Sequence, residues 1–508
     1  MIGLAFAILA ALLHAATAWR YGYFRDELYF IACSKHLAWG YVDQPPLVAI
    51  AARLAEPGGY DLIALRALPI LAAALTVYVT IALTRELGGG RFAQLLAGIA
   101  TLAMPAYLLL GNTLTTSSFE PLFWTLAFFC AIQIVRAQPQ RRQWWWAALG
   151  AAVAGGVYGK YSMLLLVAGL GAGLLATPQR RVLGTVYPLY AAGLALVLTA
   201  PNLWWQAIHG WPIVEVLLGD AAHRPALANG LVLESYGRAA NAWHFALEQL
   251  VYTSPAAVPI WLTGAIAPFR FAPLRDLRFV TVAYVVTLLV AAALGAKGYY
   301  IVGAYAALLA LGAVAIERSG LALRSALFAA LCAVAIVALP FSAPVLPVGS
   351  LIAYSQMLGI TGRNGTPPAL VQPVFAEEFG WNRLARDVAS VYASLPPQVR
   401  ARAAIYADTY GDAGALDFFG PRYGLPGAIS SQNNYYLWGT RGYDGSTLVA
   451  IGATRIDRLR RFYRSVVLVR TSAEPLKWIV EGPAPIYLCR DPIAPLPLIW
   501  PALKWYGA

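Results

Sequence analysis

Charged side chains are scarce in this sequence, so the places where they gather stand out. The stretch 23–47, YFRDELYFIACSKHLAWGYVDQPPL, leaves an apolar run through Arg25, Asp26 and Glu27 and ends on Asp43-Gln44-Pro45-Pro46. Glu120 follows in NTLTTSSFEPLFW, Lys160 in YGKYS, and Lys297 in GAKGYY with Tyr299 and Tyr300 beside it. Ionisable groups this close to apolar spans are costly unless they stay in water or perform a function. A carboxylate within reach of a hydroxyl can take its proton as the oxygen attacks. A departing phosphate needs no proton, but it does need cations to hold its developing charge. Acids, lysines and aromatic rings at one boundary therefore fit group transfer from a phosphate to an oxygen. The bland readings are a solvated Asp26-Glu27 pair at a helix N-terminus and lysines that snorkel to headgroups.

The elements that must position these residues follow from composition. Hydrophobic residues make up 59% of the 508 residues and charged residues 12%, with mean hydropathy +0.61. A soluble chain carries roughly 25% charged residues. Eleven apolar stretches, near 2–19, 62–83, 92–110, 119–135, 144–158, 162–176, 183–201, 251–268, 279–295, 299–316 and 323–342, predict a polytopic α-helical membrane protein. The first, despite small residues at its end, lacks a basic leader and reads as an uncleaved span. Alternate loops hold Arg85, Arg91, Arg136, Arg141, Arg142, Arg180, Arg181, Arg270, Arg275, Arg278, Arg318 and Arg324. The positive-inside rule makes those loops cytoplasmic, with the N-terminus inside and the C-terminal part outside. The net charge of +13 is thus an orientation signal, and nucleic acid is not an expected partner.

Three pieces fall on the outer face: the opening loop 20–61, a Trp-rich loop of about 202–250 with His209, His223 and His244, and the tail 346–508. In the tail, apolar runs shorten to strand length at 403–408, 447–453, 465–470 and 485–490, with helical stretches at 382–394 and 457–463. A transmembrane domain over 1–345 and a soluble α/β domain over 346–508 are expected. His14, mid-span, reads as a core histidine, Cys130 and Cys332 as packing residues, and a Cys33–Cys489 disulfide is an open option outside. A divalent metal held by Asp43 and a histidine of the second outer loop is also open, without any tight ligand spacing. Polar residues between many spans would also suit a secondary transporter, but no two-fold sequence symmetry is visible. A bare anchor for the outer domain would not explain acids and lysines from four separate loops. Asp26 is the residue expected to act as base, and sugar transfer from a lipid phosphate is the chemistry that these groups together would serve.

The segments FRDELYF, YVDQPPL, SFEPLFW, PNLWWQ, KGYY and DFFGPRYGLPGAIS resemble glycosyltransferase family 39. This GT-C-fold group holds protein O-mannosyltransferases and bacterial aminoarabinose transferases that modify lipid A. The resemblance spans most of the chain and is closest to the PMT-like bacterial branch. It implies an inner-membrane enzyme that inverts configuration while moving a sugar from a polyprenyl-phosphate carrier to a lipid, glycan or protein acceptor outside. It implies Asp26 as the base, Glu27 as its DE partner, and Glu120 as the second acid. Asp43 would sit by a metal and the donor phosphate. Gln44 stands at a phosphate-binding position where the aminoarabinose transferases carry Lys. A neutral amide brings no charge, so phosphate binding passes to Lys160, Lys297 or Arg25, with Tyr299 and Tyr300 alongside.

Overall fold

The computed structural model describes residues 1–222, 226–228, 231–233, 238–360, 373–452, 456–476 and 483–507. The chain forms two compact units. The first comprises Met1–Trp19, Leu65–Trp204 and Leu233–Leu346; the second comprises Arg20–Ala64, Trp205–Val232 and Pro347–Ala508. The opening loop, expected with the transmembrane domain, thus folds together with the tail.

In the first unit a helix occupies each of the eleven apolar stretches. Among the described residues, four are long and apolar enough alone to cross a membrane: Leu62–Glu86, Ala272–Ala293, Gly298–Ile316 and Leu321–Ser342. Two further pairs pass only together and are bent, Arg91–Leu102 with Pro105–Gly111 by 61° and Trp243–Thr253 with Pro255–Arg270 by 89°. Each break falls at a proline, which removes a backbone donor and clashes with the preceding turn. Ile2–Thr17 and Met163–Leu175 are apolar but shorter.

Gly298–Ile316 is the most enclosed of the four spans and Leu321–Ser342 the most exposed. The helices Val258–Arg270 and Tyr305–Ile316 touch backbone to backbone. A Cβ on Gly264 or Gly312 would lie 1.9 Å from the carbonyl oxygen of Leu308 or Ile260. In lipid, where apolar surface gains little by leaving its solvent, such small-residue contacts bring helices together by close packing.

In the second unit five strands form a mixed sheet: β1 (Ala404–Ala407), β2 (Ala428–Ser430), β3 (Thr447–Ile451), β4 (Tyr463–Ser472) and β5 (Ala484–Pro492). Their order is β2-β1-β3-β5-β4, with β1 parallel to β2 and β3 and with β5 antiparallel to β3 and β4. β1 and β3 are buried along their whole length, which matches their unbroken apolar runs. The helix Arg25–Ser34 of the opening loop packs on the helix Tyr410–Phe419 that follows β1. Gly411 and Gly414 make this approach possible, since a Cβ on them would meet the Arg25 side chain at 2.4 Å and the Leu28 backbone at 2.8 Å. All four cysteines are free; Cys33 is buried on the Arg25 helix and Cys489 within β5, so the optional disulfide is not formed.

Candidate active site

The polar residues singled out in the sequence fall into two clusters, one in each unit. The second unit holds the acids of the opening loop. Phe24 is extended at the N-cap of the Arg25 helix, and its N–H donates to Glu27 Oε2 at 2.9 Å. Glu27 is fully buried and serves as the reciprocal cap of that helix. One of its oxygens thus closes the first turn of the helix that carries Asp26.

Asp26 lies one position earlier, about 100° around the helix from Glu27. The Tyr410 hydroxyl donates to Asp26 Oδ1 at 2.9 Å, and Arg25 Nε donates to the same oxygen at 3.3 Å. Oδ2 has no hydrogen-bond partner among the described residues, and the side chain is 26% exposed. Arg25 also faces Glu377 at 3.6 Å, and its guanidinium lies 5.4 Å from the Tyr410 ring centre. Arg25 is thus engaged with two carboxylates. Burial holds the Tyr410 phenol well above its ordinary range, so it remains a donor to Asp26 at neutral pH.

Asp43 is treated differently. Tyr29 donates to its Oδ1 at 3.0 Å and Asn433 Nδ2 to its Oδ2 at 2.9 Å. Burial pushes its carboxyl up to about 7 against these two hydrogen bonds, and the charge of Asp26 adds to the rise. Gln44 is 1% exposed, and its Nε2 is 3.7 Å from Cys33 Sγ. Its side chain is thus packed inside the opening loop, against the Arg25 helix.

No group of three His, Cys, Asp or Glu side chains converges as metal ligands among the described residues. The His209 ring stacks on Trp205 at 4.0 Å with Nδ1 2.8 Å from the Trp205 carbonyl oxygen. His244 belongs to the other unit, and His223 lies outside the described residues. Both Asp43 oxygens are already hydrogen-bonded, to Tyr29 and to Asn433, and no histidine joins Asp43 in a metal-ligand group among the described residues.

The first unit holds the cations. Glu120 opens the helix Glu120–Arg136 and is 3% exposed. Ser162 donates to its Oε1, and Lys160 Nζ lies 3.5 Å from Oε2. Lys160 caps the C-terminal end of the helix Pro139–Gly159, donates to Ser117 Oγ at 2.6 Å, and is 13% exposed. Its ammonium sits 3.6 Å from the Tyr300 ring centre and 4.6 Å from that of Tyr299. Both rings ride on the 3₁₀ turn Gly298–Ala304, whose Gly298 N–H donates to Glu248 at 2.9 Å and whose Gly298 carbonyl accepts from Gln249 at 3.0 Å. Glu120, Lys160, Tyr299 and Tyr300 are therefore brought together. Lys297, just before the turn, is exposed, and its side chain makes no hydrogen bond or ion pair among the described residues.

Sequence reasoning did not single out Tyr29, Tyr410, Asn433 or Asn434 in the acid cluster. Ser117 and Ser162, beside Glu120, were visible only as parts of short polar runs.

Residues 43–205 match the family described as dolichyl-phosphate-mannose-protein mannosyltransferase. Among solved structures, ArnT from Cupriavidus metallidurans in its apo state aligns with TM-score 0.60 at 15% identity, covering 96% of this chain and 97% of that one. The same protein bound to undecaprenyl phosphate aligns with TM-score 0.62 at 15% identity, covering 95% and 97%. No curated protein matches the chain by sequence.

Proposed function

We infer that this chain, a membrane glycosyltransferase of the GT-C type, moves one sugar from a polyprenyl-phosphate carrier to an acceptor oxygen at the outer face of the bacterial inner membrane. The acceptor is a lipid such as lipid A, a glycan, or a protein side chain. The N-terminus then lies in the cytoplasm and the α/β unit outside, in line with the arginine-rich loops. A neighbour of the same fold that holds undecaprenyl phosphate supports a carrier of this type.

The observation that carries the reading is the half-engaged carboxylate of Asp26. Tyr410 and Arg25 fix one oxygen, while the other keeps its lone pairs for an acceptor proton. The acceptor oxygen attacks the anomeric carbon from the side opposite the phosphate, and its proton passes to Asp26. The bond from the anomeric carbon to the phosphate oxygen breaks, and the phosphate leaves with both electrons. One in-line displacement inverts the anomeric configuration. For the charge of a leaving phosphate the first unit offers the ammonium of Lys160, which lies beside Glu120 and two tyrosine rings.

Cells producing the wild-type chain or Asp26→Asn at equal membrane levels provide the test. Mass spectrometry of their envelope glycolipids and glycoproteins should show a hexose, uronic acid or amino-sugar increment with the wild type. A positioned base contributes about 10²–10⁴-fold, so the increment should vanish with the variant. An undiminished increment would remove Asp26 from the role of base.

A further inference from the structure

We propose that Asn433 is a positioning residue for this transfer: with Gln432 and Asn434 it clamps both acids of the opening loop, Asp43 directly and Asp26 through Tyr410. The proposal rests on the reading of Asp26 as base.

The three amides are consecutive, and each is at most 3% exposed. Gln432 Oε1 accepts the Tyr410 N–H at 2.7 Å, and the Tyr410 hydroxyl in turn donates to Asp26. Asn433 Nδ2 donates to Asp43 at 2.9 Å. Asn434 Oδ1 accepts the Val42 N–H at 2.7 Å, next to Asp43 in the chain, and the Asn434 N–H is 3.3 Å from the Tyr29 hydroxyl that also holds Asp43. A three-residue segment of the tail therefore reaches every group that fixes the two carboxylates, except Arg25.

The segment is itself held from behind. The Asn433 N–H donates to the Trp505 carbonyl at 3.0 Å, the Gly507 N–H donates to Asn433 Oδ1 at 3.1 Å, and Gln432 Nε2 donates to the Gly507 carbonyl at 2.8 Å. Both ends of the Asn433 amide are thus used, one toward Asp43 and one toward residue 507. Its backbone has φ +47°, in the left-handed region. Glycine would meet that backbone demand without strain. An asparagine, which tolerates the conformation but does not prefer it, adds the side-chain bond to Asp43. Buried polar groups need partners to be tolerated at all, and a fully bonded network of this kind fixes geometry more than it packs volume.

The test uses the full chain in detergent, with polyprenyl-linked donor extracted from host membranes as probe and native envelope as acceptor. Asn433→Gly keeps the left-handed backbone and removes the Asp43 contact. It should lower kcat at least tenfold while KM for the extract stays within twofold and the melting temperature within a few degrees. Asn433→Asp keeps the acceptor for Gly507 but sets an oxygen against Asp43 and should fall below the glycine variant. If Asn433→Gly turns over like wild type while Asp26→Asn is inactive, the clamp is overturned and the base stands. If Asn433→Asp turns over like wild type, the donor to Asp43 is not what matters and the proposal also fails. Full turnover by Asp26→Asn instead strikes the reading on which the clamp rests.

Discussion

Asp26 in one unit and Lys160 in the other are both tethered by hydroxyl groups and aromatic side chains, yet they are left in opposite states. Asp26 has one oxygen fixed and one open, with a quarter of its side chain in solvent. Lys160 is nearly enclosed, and Ser117, Glu120 and two tyrosine rings surround its ammonium. The difference follows from what each charge must do. A base is useful only while a lone pair is vacant, so its network has to stop short of saturating it. An enclosed ammonium without a counter-charge tends to give up its proton. Glu120 supplies that counter-charge at 3.5 Å, and the two tyrosine faces cover the ammonium.

The largest effect in the cation cluster should come from Lys160→Met. Removing one preorganised stabiliser of developing negative charge lowers turnover by about 10²–10³-fold. That variant also strands Glu120 as a buried, uncompensated acid, and breaking a buried pair in this way costs about 3–5 kcal/mol. The double variant Lys160→Met with Glu120→Gln separates the two consequences. Its melting temperature should return toward wild type while transfer stays lost. Recovery of transfer by the double variant would make Lys160 a structural counter-ion only, and the contrast with Asp26 would collapse.

Much of this arrangement was legible in the sequence because lipid punishes stray charge. Lys160 and Glu120 stood out as polar interruptions at the ends of apolar runs, and four of the five tail strands showed as short apolar runs. β2, only three residues long, carried too little pattern to find. Pairings across the chain were beyond reach: Tyr410 meets Asp26 across 384 positions, and no local period signals that contact. Asp26 and Glu27 could not be told apart by type. Only the helix, which turns neighbours about 100° from each other, decides which acid caps the backbone and which keeps an open oxygen. The stretches 92–110 and 251–268 read as single spans in the sequence, whereas the chain bends in them at Pro105 and Pro255 by an angle that depends on what packs beside the break.

Inside the acid cluster the same comparison yields a pH dependence. Asp43 has both oxygens bonded, and its carboxyl rises in the folded protein from 3.8 to about 7. The folded state then holds the proton more tightly than the unfolded chain, so stability declines as pH rises between those values. The contribution is complete below about 3.8 and gone once pH has passed about 7. The melting temperature of the wild type, relative to Asp43→Asn, should therefore fall between pH 5 and pH 7.5 and then level off. A flat difference over that interval would mean that Asp43 ionises as an ordinary surface acid, and the two acids would no longer differ in kind.

Lys297 should show the smallest effect and the most informative salt dependence. It is exposed and makes no side-chain hydrogen bond or ion pair among the described residues, whereas Lys160 is enclosed. An exposed ammonium acts on an anionic donor across water, and at 0.1 M salt such action is screened beyond roughly 10 Å. Lys297→Gln should therefore raise KM for the donor by no more than about threefold at low ionic strength, a change of about 0.65 kcal/mol and in the range of exposed ion pairs. The rise should disappear at 0.5 M salt with kcat unchanged throughout. The defect of Lys160→Met should persist at both salt concentrations, because an enclosed charge is screened far less. A salt-resistant loss of kcat in Lys297→Gln would instead place Lys297 against the phosphate itself and move the centre of the cation cluster toward the KGYY turn.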